Sequence, residues 1–400
     1  MWRARVVSAV CLAVLILGGA AGWAAAEQIV EVADDAALRA AVRGAQPGTR
    51  IRIAPGRYKP GLWVEDLHGT AARPIVIEGA DPDDPPRFEG GSQAWHLSNC
   101  SHVTLRHIDV RGPSRNGINV DDGGTFDDAT LTSGTHHVVL EHIRVYDVGP
   151  KGNHDGIKLS GITDFVVRHS RVEGWGGEAV DMVGCHRGLI ERCVFLGKEG
   201  FDSANGVKTK GGSSRITIRR CLFRNVKSRA VNVGGSTGLA YYRPKDAGYE
   251  AKDIVVEGCA FVGGDAAVAF AGIDGAVFRY NTIYRPQRWI LRILQEMSDF
   301  DRFVRCRNGR FEHNLVVFRK AELSRWEWIN IGRETEPESF VFANNLWYCE
   351  DAPEDSEPEL PSQETGGVYG VDPQLTDPAR NRFRPREPRA AAFGALAFPE

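Results

Sequence analysis

Two stretches of the sequence share one pattern, VTLRHIDV at residues 103–110 and VVLEHIRV at residues 138–145. Both alternate apolar and polar residues, which is typical of short strands. Seven further copies, about 22 to 38 residues apart, carry a small or amide side chain at the sixth position: Ser170, Cys193, Cys221, Cys259, Asn281, Asn314 and Asn345. Because one short strand cannot bury its apolar face alone, neighbouring repeats must stack.

Stacked repeats of this length predict an all-β fold, a single-domain right-handed parallel β-helix with coils about 4.8 Å apart. The sixth positions then form a buried ladder, in which the cysteines are rungs rather than nucleophiles or metal ligands. The stretch 34–44, with acidic residues first and glycine last, predicts a short N-terminal capping helix.

The remaining segments are assigned by composition. We expect a cap with the first coils at 27–100, β-helix repeats at 101–349, and an acidic, proline-rich loop with a closing segment at 350–400. Residues 1–26, with two arginines, an uncharged stretch and three alanines, predict a signal peptide. The expected product is an exported monomer, periplasmic or extracellular, with no integral membrane segment after signal removal.

Charge and composition exclude some classes of partner and fold. The 400 residues include 49 Lys and Arg against 52 Asp and Glu, which argues against nucleic acid as the main partner. The 45 glycines and 20 prolines indicate many tight turns rather than a helix-rich fold.

A second repeated strand begins with motifs such as NGINV at 116–120 and DGIKL at 155–159. Strict alternation points one residue of each copy outward, so that Asn119, Lys158, Asp181, Lys208, Asn232 and Ala269 form a column. Three positions earlier a second polar column contains Asp155, Glu178, Asn205 and Arg229, and parity leaves its direction open. We predict a polar groove over four coils that ends at Ala266 and Ala269.

The same column has a structural interpretation. Lys158, Asp181 and Lys208 on successive coils would give alternating charges that favour correct register. Exposed pairs of this kind contribute only about 0–1 kcal/mol. The concentration of polar residues in the most regular coils favours a functional groove.

Several short motifs resemble the pectate-lyase-like β-helix superfamily, and within it the chondroitinase B and alginate lyase family. They are GTRIRI at 48–53, GRY at 56–58, GTAARPI at 69–75, NLWY at 345–348 and VDP at 371–373. The resemblance implies a lyase with a lysine base, here Lys208, and an arginine on the next coil, here Arg229. The family's arginine-histidine-glycine signature is replaced by VNVGG at 231–235.

The resemblance also implies a substrate and a cofactor. The substrate would be an acidic polysaccharide, cleaved by β-elimination, and the acidic residues Asp155, Glu178 and Asp181 would hold Ca²⁺. Like charges at Lys210 and Arg229 would favour the neutral form of Lys208. Further substrate contacts are expected from Lys158, Asn205, Lys210, Asn232, His154, and from Tyr242 and Arg243 in the inserted loop 234–252.

Three alternatives stay open. One is a non-catalytic β-helix that binds polysaccharide, and another is a uronan C5-epimerase, for which His154 would be an acid–base residue. The third is a glycoside hydrolase, because NHDG at 153–156 resembles the Asn-Thr-Asp-Gly motif of polygalacturonase-like enzymes. Asp121, Asp122, Asp127 and Asp128 fit a solvated turn better than a metal site.

Overall fold

The structure, a computed structural model, describes residues 27–324 and 327–397. The predicted signal peptide at 1–26 lies outside the described residues. Parallel strands stack coil upon coil in two sheets, which confirms the predicted parallel β-helix. No helix in the described part of the chain is both long and apolar enough to span a membrane.

One sheet has ten strands, and we call it the groove sheet because the polar columns lie on it. Its strands, in chain order, are Leu62–Glu65, Trp95–Ser98, Ile118–Asp121, Ile157–Ser160, Glu178–Val183, Asn205–Lys210, Arg229–Gly234, Ala266–Ala271, Trp289–Leu294 and Ile329–Ile331.

The larger sheet wraps around the rest of the solenoid, and in most coils it contains two successive strand segments. Its strands are Gln28–Val32, Thr49–Ile53, Arg57–Tyr58, Ile75–Gly79, Arg87–Glu89, Val103–Arg111, Val139–Tyr146, Val166–Arg168, Arg171–Glu173, His186–Glu191, Val194–Leu196, Ser213–Arg219, Leu222–Arg224, Ala251–Glu257, Ala260–Val262, Ile273–Arg279, Thr282–Tyr284, Arg307–Glu312, Leu315–Phe318, Val341–Ala343, Leu346–Cys349 and Val368–Tyr369.

The predicted capping helix is present at Asp35–Gly44. Asp34 caps it by accepting a hydrogen bond from the Ala37 amide at 2.9 Å, and Leu38 and Val42 are buried against the first coils. Short 3₁₀ helices lie in connections and in the C-terminal segment, at Leu239–Tyr241, Lys320–Glu322, Pro337–Ser339, Pro353–Asp355, Pro378–Arg380, Pro388–Ala390 and Ala395–Ala397.

The predicted ladder of small and amide side chains runs through the core. The Oδ1 atoms of Asn281, Asn314 and Asn345 each accept a hydrogen bond at 2.9 Å from the backbone amide of the preceding rung. Glu364 ends the ladder by accepting from the Asn345 side chain at 2.7 Å. All seven cysteines in the described part of the chain are free and buried, in agreement with their interpretation as packing residues.

Candidate functional site

The register of the groove sheet aligns one outward-facing residue from every strand. Lys158 pairs with Asn119 on one side and Asp181 on the other, and Lys208 lies between Asp181 and Asn232. The full column, which we call the groove column, is Trp63, His96, Asn119, Lys158, Asp181, Lys208, Asn232, Ala269, Arg292 and Asn330.

The second column, whose direction alternation left open, flanks the groove column. Asp155 Oδ2 accepts a hydrogen bond from Lys158 Nζ at 2.9 Å, three residues along the same coil. Arg229 Nη1 likewise donates to Asn232 Oδ1 at 3.1 Å. In both cases, therefore, two side chains three residues apart on one coil come into contact. The first residue between them is a glycine or an alanine.

Three carboxylates meet beneath the lysines. One oxygen from each of Asp155, Glu178 and Asp181 lies within 4.8 Å of the others, and all three residues are buried. Lys158 Nζ lies 2.9 Å from Asp155 and 2.6 Å from Asp181, and Lys208 Nζ lies 3.3 Å from Glu178. Asp181 Oδ1 also lies 3.3 Å from Lys210 Nζ. Three carboxylates are thus matched by three ammonium groups.

The cluster separates the pKa values of two neighbouring acids. Burial first, and the charge of Asp181 second, raise the pKa of Asp155 to about 7. Burial also acts to raise the pKa of Glu178, but the charge of Lys208 and a hydrogen bond from Asp155 outweigh it, and the net shift is downward. Near neutral pH, Asp155 can therefore remain protonated and donate a hydrogen bond to an ionised Glu178.

In the groove, the cationic side chains are partly exposed to solvent, whereas the anionic side chains are buried. The side chains of Asp155 and Asp181 are 0% exposed, whereas that of Lys158 is 26% exposed. The side chains of Lys208 and Arg229 keep 14% and 16% of their surface accessible. A ligand that reaches this strip first meets positive charge.

In the described part of the chain, three of the seven buried polar side-chain atoms without a hydrogen-bond partner lie in this strip. They include Asp181 Oδ1, despite the Lys210 ammonium 3.3 Å away, and also Arg229 Nε and Asn232 Nδ2. Folded proteins leave few such atoms unpaired, because each one costs free energy. Their grouping at one strip is typical of a binding or catalytic site.

The arrangement is a poor fit for calcium. Ca²⁺ binds six to eight oxygens, including water. Here the Lys158 ammonium already lies between Asp155 and Asp181, and burial of all three carboxylates leaves little room for water ligands. The positive charge that balances these carboxylates comes from lysine side chains of the protein itself.

The charges around Lys208 differ from the prediction. The expected like charges are each neutralised by a carboxylate, Lys210 by Asp181 at 3.3 Å and Arg229 by Glu296 at 2.8 Å. The charge nearest to Lys208 is the opposite charge of Glu178. Each cation that the prediction treated as free is therefore paired with a carboxylate of a neighbouring coil or of a loop.

The inserted loop 234–252 does not present Tyr242 to the groove, which corrects the prediction of a substrate contact there. Tyr242 is fully buried, donates its hydroxyl to Glu250 and packs on Phe303 with ring centroids 5.4 Å apart. Arg243 is half-buried and donates to Asp122 at 2.9 Å, so the predicted solvated turn is tied to this loop.

The remaining predicted contacts lie at the edges of the strip. Asn205 donates to Glu178 at 3.1 Å, on the same carboxylate oxygen that Lys208 approaches. His154 is half-buried beside Asp155, with its ring against Gly149. Asp121 accepts from Ser98 at 2.6 Å and contacts His96, so it belongs to the groove sheet rather than to a solvated turn.

The groove column is longer than predicted at both ends. Upstream, Trp63 is 59% exposed and its ring centroid lies 4.0 Å from that of His96. Downstream, polarity resumes beyond Ala269, where Arg292 Nε donates to Asn330 at 2.8 Å. The predicted boundary at Ala266 and Ala269 is therefore wrong. The alternation of residues in GLWVE at 61–65 and WILRIL at 289–294 would have predicted these two additional strands of the groove column.

Comparison with known proteins places the fold in a class. A family model described as right handed beta helix region matches residues 94–243. No curated protein matches the sequence. The chain has the right-handed parallel β-helix fold.

Three solved structures are similar to it. The alginate lyase from Paenibacillus sp. str. FPU-7 is 17% identical with a TM-score of 0.53, over 77% of this chain and 98% of that one. The PL6 family polysaccharide lyase from Pseudopedobacter saltans is 12% identical with a TM-score of 0.52, over 92% and 99%. The GH136 lacto-N-biosidase from Eubacterium ramulus is 12% identical with a TM-score of 0.54, over 86% and 68%. At these identities the likeness shows the fold alone.

Proposed function

We propose that this protein is a polysaccharide lyase that cleaves a uronic-acid-containing polymer by β-elimination in the groove. The observation that carries the proposal is the layering of charge, with lysine and arginine side chains accessible above buried carboxylates. Such a surface attracts a polyanion. Two of the solved structures compared above are polysaccharide lyases, which agrees with this reaction class.

Elimination requires a base for the proton at C5 and positive charge for the sugar carboxylate. Lys208 is the proposed base, because its Nζ lies at the centre of the strip and the side chain keeps access to solvent. In this step the neutral amine, after losing a proton to solvent, would accept the C5 proton. Arg229 is held by Asn232 and Glu296 on the next coil, where its guanidinium would neutralise the carboxylate or the departing oxygen.

In this proposal the remaining polar groups hold the polymer or the catalytic pair. Glu178 orients Lys208 and Asn205 together, while Lys158 and Lys210 balance Asp155 and Asp181. These lysines thus take the place of the metal ion that the three carboxylates were expected to bind. Trp63, at the upstream end, offers an exposed aromatic face on which a sugar ring can stack. We also propose export through residues 1–26 and action as a monomer.

The main alternative is glycoside hydrolysis by Asp155 and Glu178. The divergence of their pKa values is the pattern expected for an acid and its partner. Their burial beneath Lys158 and Lys208 argues against it, because a hydrolase must bring both carboxyl groups to the glycosidic bond.

Absorbance of the unsaturated uronate product distinguishes these functions. The purified mature protein is mixed with alginate, pectate, chondroitin, dermatan and heparosan, and with neutral polymers as controls. A rise on one acidic polymer is expected. New reducing ends without absorbance would indicate a hydrolase, exchange of the C5 proton without cleavage an epimerase, and binding alone a non-catalytic protein.

A further inference from the structure

A second cluster of chemically active side chains lies away from the groove column. His102, His136 and His137 occupy the turn that precedes two strands of the larger sheet, Val103–Arg111 and Val139–Tyr146. His136 bridges to Ser101 on the preceding coil, so His137 is the rung above His102. The two residues share one backbone conformation, with φ of 52° in each. The solenoid therefore fixes their separation.

The three rings are close and lie at the surface. His136 Nδ1 and His137 Nδ1 are 2.8 Å apart, and the rings of His102 and His137 have centroids 4.6 Å apart. One nitrogen from each of the three rings lies within 4.8 Å of the others. His137 is exposed and the other two are half-buried, so the rings have access to solvent and room to rotate.

Nitrogens this close cannot both carry protons, so His136 and His137 share one. A divalent ion can replace that proton. With nitrogen–metal bonds of about 2.0–2.1 Å, two imidazoles on a tetrahedral ion have their nitrogens roughly 3.3 Å apart. The observed pair needs to open by only about half an ångström.

We propose that His102, His136 and His137 bind one divalent transition-metal ion with the preferences of Zn²⁺. Imidazole nitrogens favour Zn²⁺, Cu²⁺ and Ni²⁺ over the hard cations Ca²⁺ and Mg²⁺. Three protein ligands leave one tetrahedral position open to solvent. Asp164, the next rung of the same turn, adds a nearby carboxylate that Arg187 holds at 2.7 and 2.8 Å.

The chain contains a matched control cluster. His107, His142 and His169 also lie on adjacent coils, with φ between 51° and 54°. Their rings stack flat, with centroids 4.8 and 5.1 Å apart and planes within 12° of parallel. In the described part of the chain these three do not bring their nitrogens together as the first cluster does. Both clusters contain three histidines, and His102 and His137 share the left-handed backbone of the control residues. In the control no two histidines are chain neighbours, and their ring nitrogens do not converge.

Zinc titration of the untagged mature protein by isothermal calorimetry tests the site. We expect one Zn²⁺ per chain, and at least roughly tenfold weaker binding in His137→Asn and His102→Asn. His142→Asn should bind as the wild type does. Asparagine is chosen because it tolerates the left-handed backbone at these positions. Zn²⁺ should also raise the thermal unfolding temperature of the wild type and of His142→Asn only.

The copper form gives an independent readout. Electron paramagnetic resonance of the wild type with one equivalent of Cu²⁺ should show coupling to imidazole nitrogens, and His137→Asn should reduce it. This measurement tests the metal site even if His102→Asn does not fold. Absence of saturable zinc binding, or equal weakening by His142→Asn and His137→Asn, would overturn the proposal.

Discussion

Lys158 and Asp181 form an ion pair across two adjacent coils, with Nζ 2.6 Å from Oδ2, and the Asp181 side chain is fully buried while the Lys158 side chain is 26% exposed. Lys158 therefore fills the position that a metal ion would need between Asp181 and Asp155.

Lys158→Met should destabilise the protein strongly. It leaves two buried carboxylates without their common partner, and such a loss costs about 3–5 kcal/mol in unfolding free energy. The matched control is Lys198→Met, whose partner Asp147 is exposed, with an expected change of about 0–1 kcal/mol. Denaturant unfolding measures both.

Calcium should stabilise Lys158→Met but not the wild type, since only the variant has a free cation position. A chelator should leave wild-type turnover unchanged. Turnover that is lost with chelator and restored by calcium would show that a metal, rather than Lys158, balances the cluster.

Asp155 should make stability depend on pH. Its pKa of about 7 in the folded state lies above its ordinary value, so between about pH 4 and 7 the folded protein holds a proton that the unfolded chain has released. This contribution is complete below about pH 4 and is lost as pH rises through 7. The loss is about 2–3 kcal/mol between pH 5 and 8.

Asp155→Asn resembles the protonated form at every pH. The difference in unfolding free energy between wild type and variant should therefore change between pH 5 and 8, in favour of the variant at high pH. Groups that titrate independently of Asp155 cancel in this difference. Parallel stability curves for the two proteins would show that Asp155 is ionised throughout.

Arg229→Ala should lower kcat/KM by about 10²- to 10³-fold, the range for loss of one preorganised electrostatic contact. Arg219→Ala is the control, because Arg219 pairs with Glu191 at 2.8 Å on the larger sheet. Steady-state kinetics on the polymer that gives absorbance compare them. Equal activity of the two variants would remove Arg229 from the site.

Trp63→Ala should raise KM roughly fivefold and leave kcat near the wild-type value. Stacking on an aromatic ring contributes about 0.5–1.5 kcal/mol, and Trp63 lies five coils before Lys208 on the groove column, too far to contact the reacting sugar. Short oligosaccharides that do not reach Trp63 should be cleaved equally by both proteins. A fall in kcat on these short substrates would contradict a role in polymer binding.

The repeated features of this molecule could be predicted from sequence, because every coil imposes the same requirements. The asparagine ladder ending at Asn345 and the helix capped by Asp34 follow from local pattern. Alternation also aligns Lys158, Asp181 and Lys208, because the side chains of a strand face opposite sides in turn.

Contacts between distant segments could not be predicted in this way. Arg243 meets Asp122 across 121 residues, and Tyr242 is buried by Phe303 from a later loop. Both contacts depend on how insertions fold back over the solenoid, which no periodicity records. The pairing of Arg229 with Glu296 has the same origin, and it removes the free positive charge assumed beside Lys208.

In the proposed reaction, Lys208 removes a proton from a bound uronate. Lys208→Ala and the control Lys198→Ala are compared for the rate of ultraviolet absorbance and for equilibrium binding of the same polymer. The rate of Lys208→Ala should fall by about 10²- to 10⁴-fold while its affinity changes less than roughly tenfold. A rate that falls only in proportion to affinity would contradict catalysis by Lys208 and leave a binding groove.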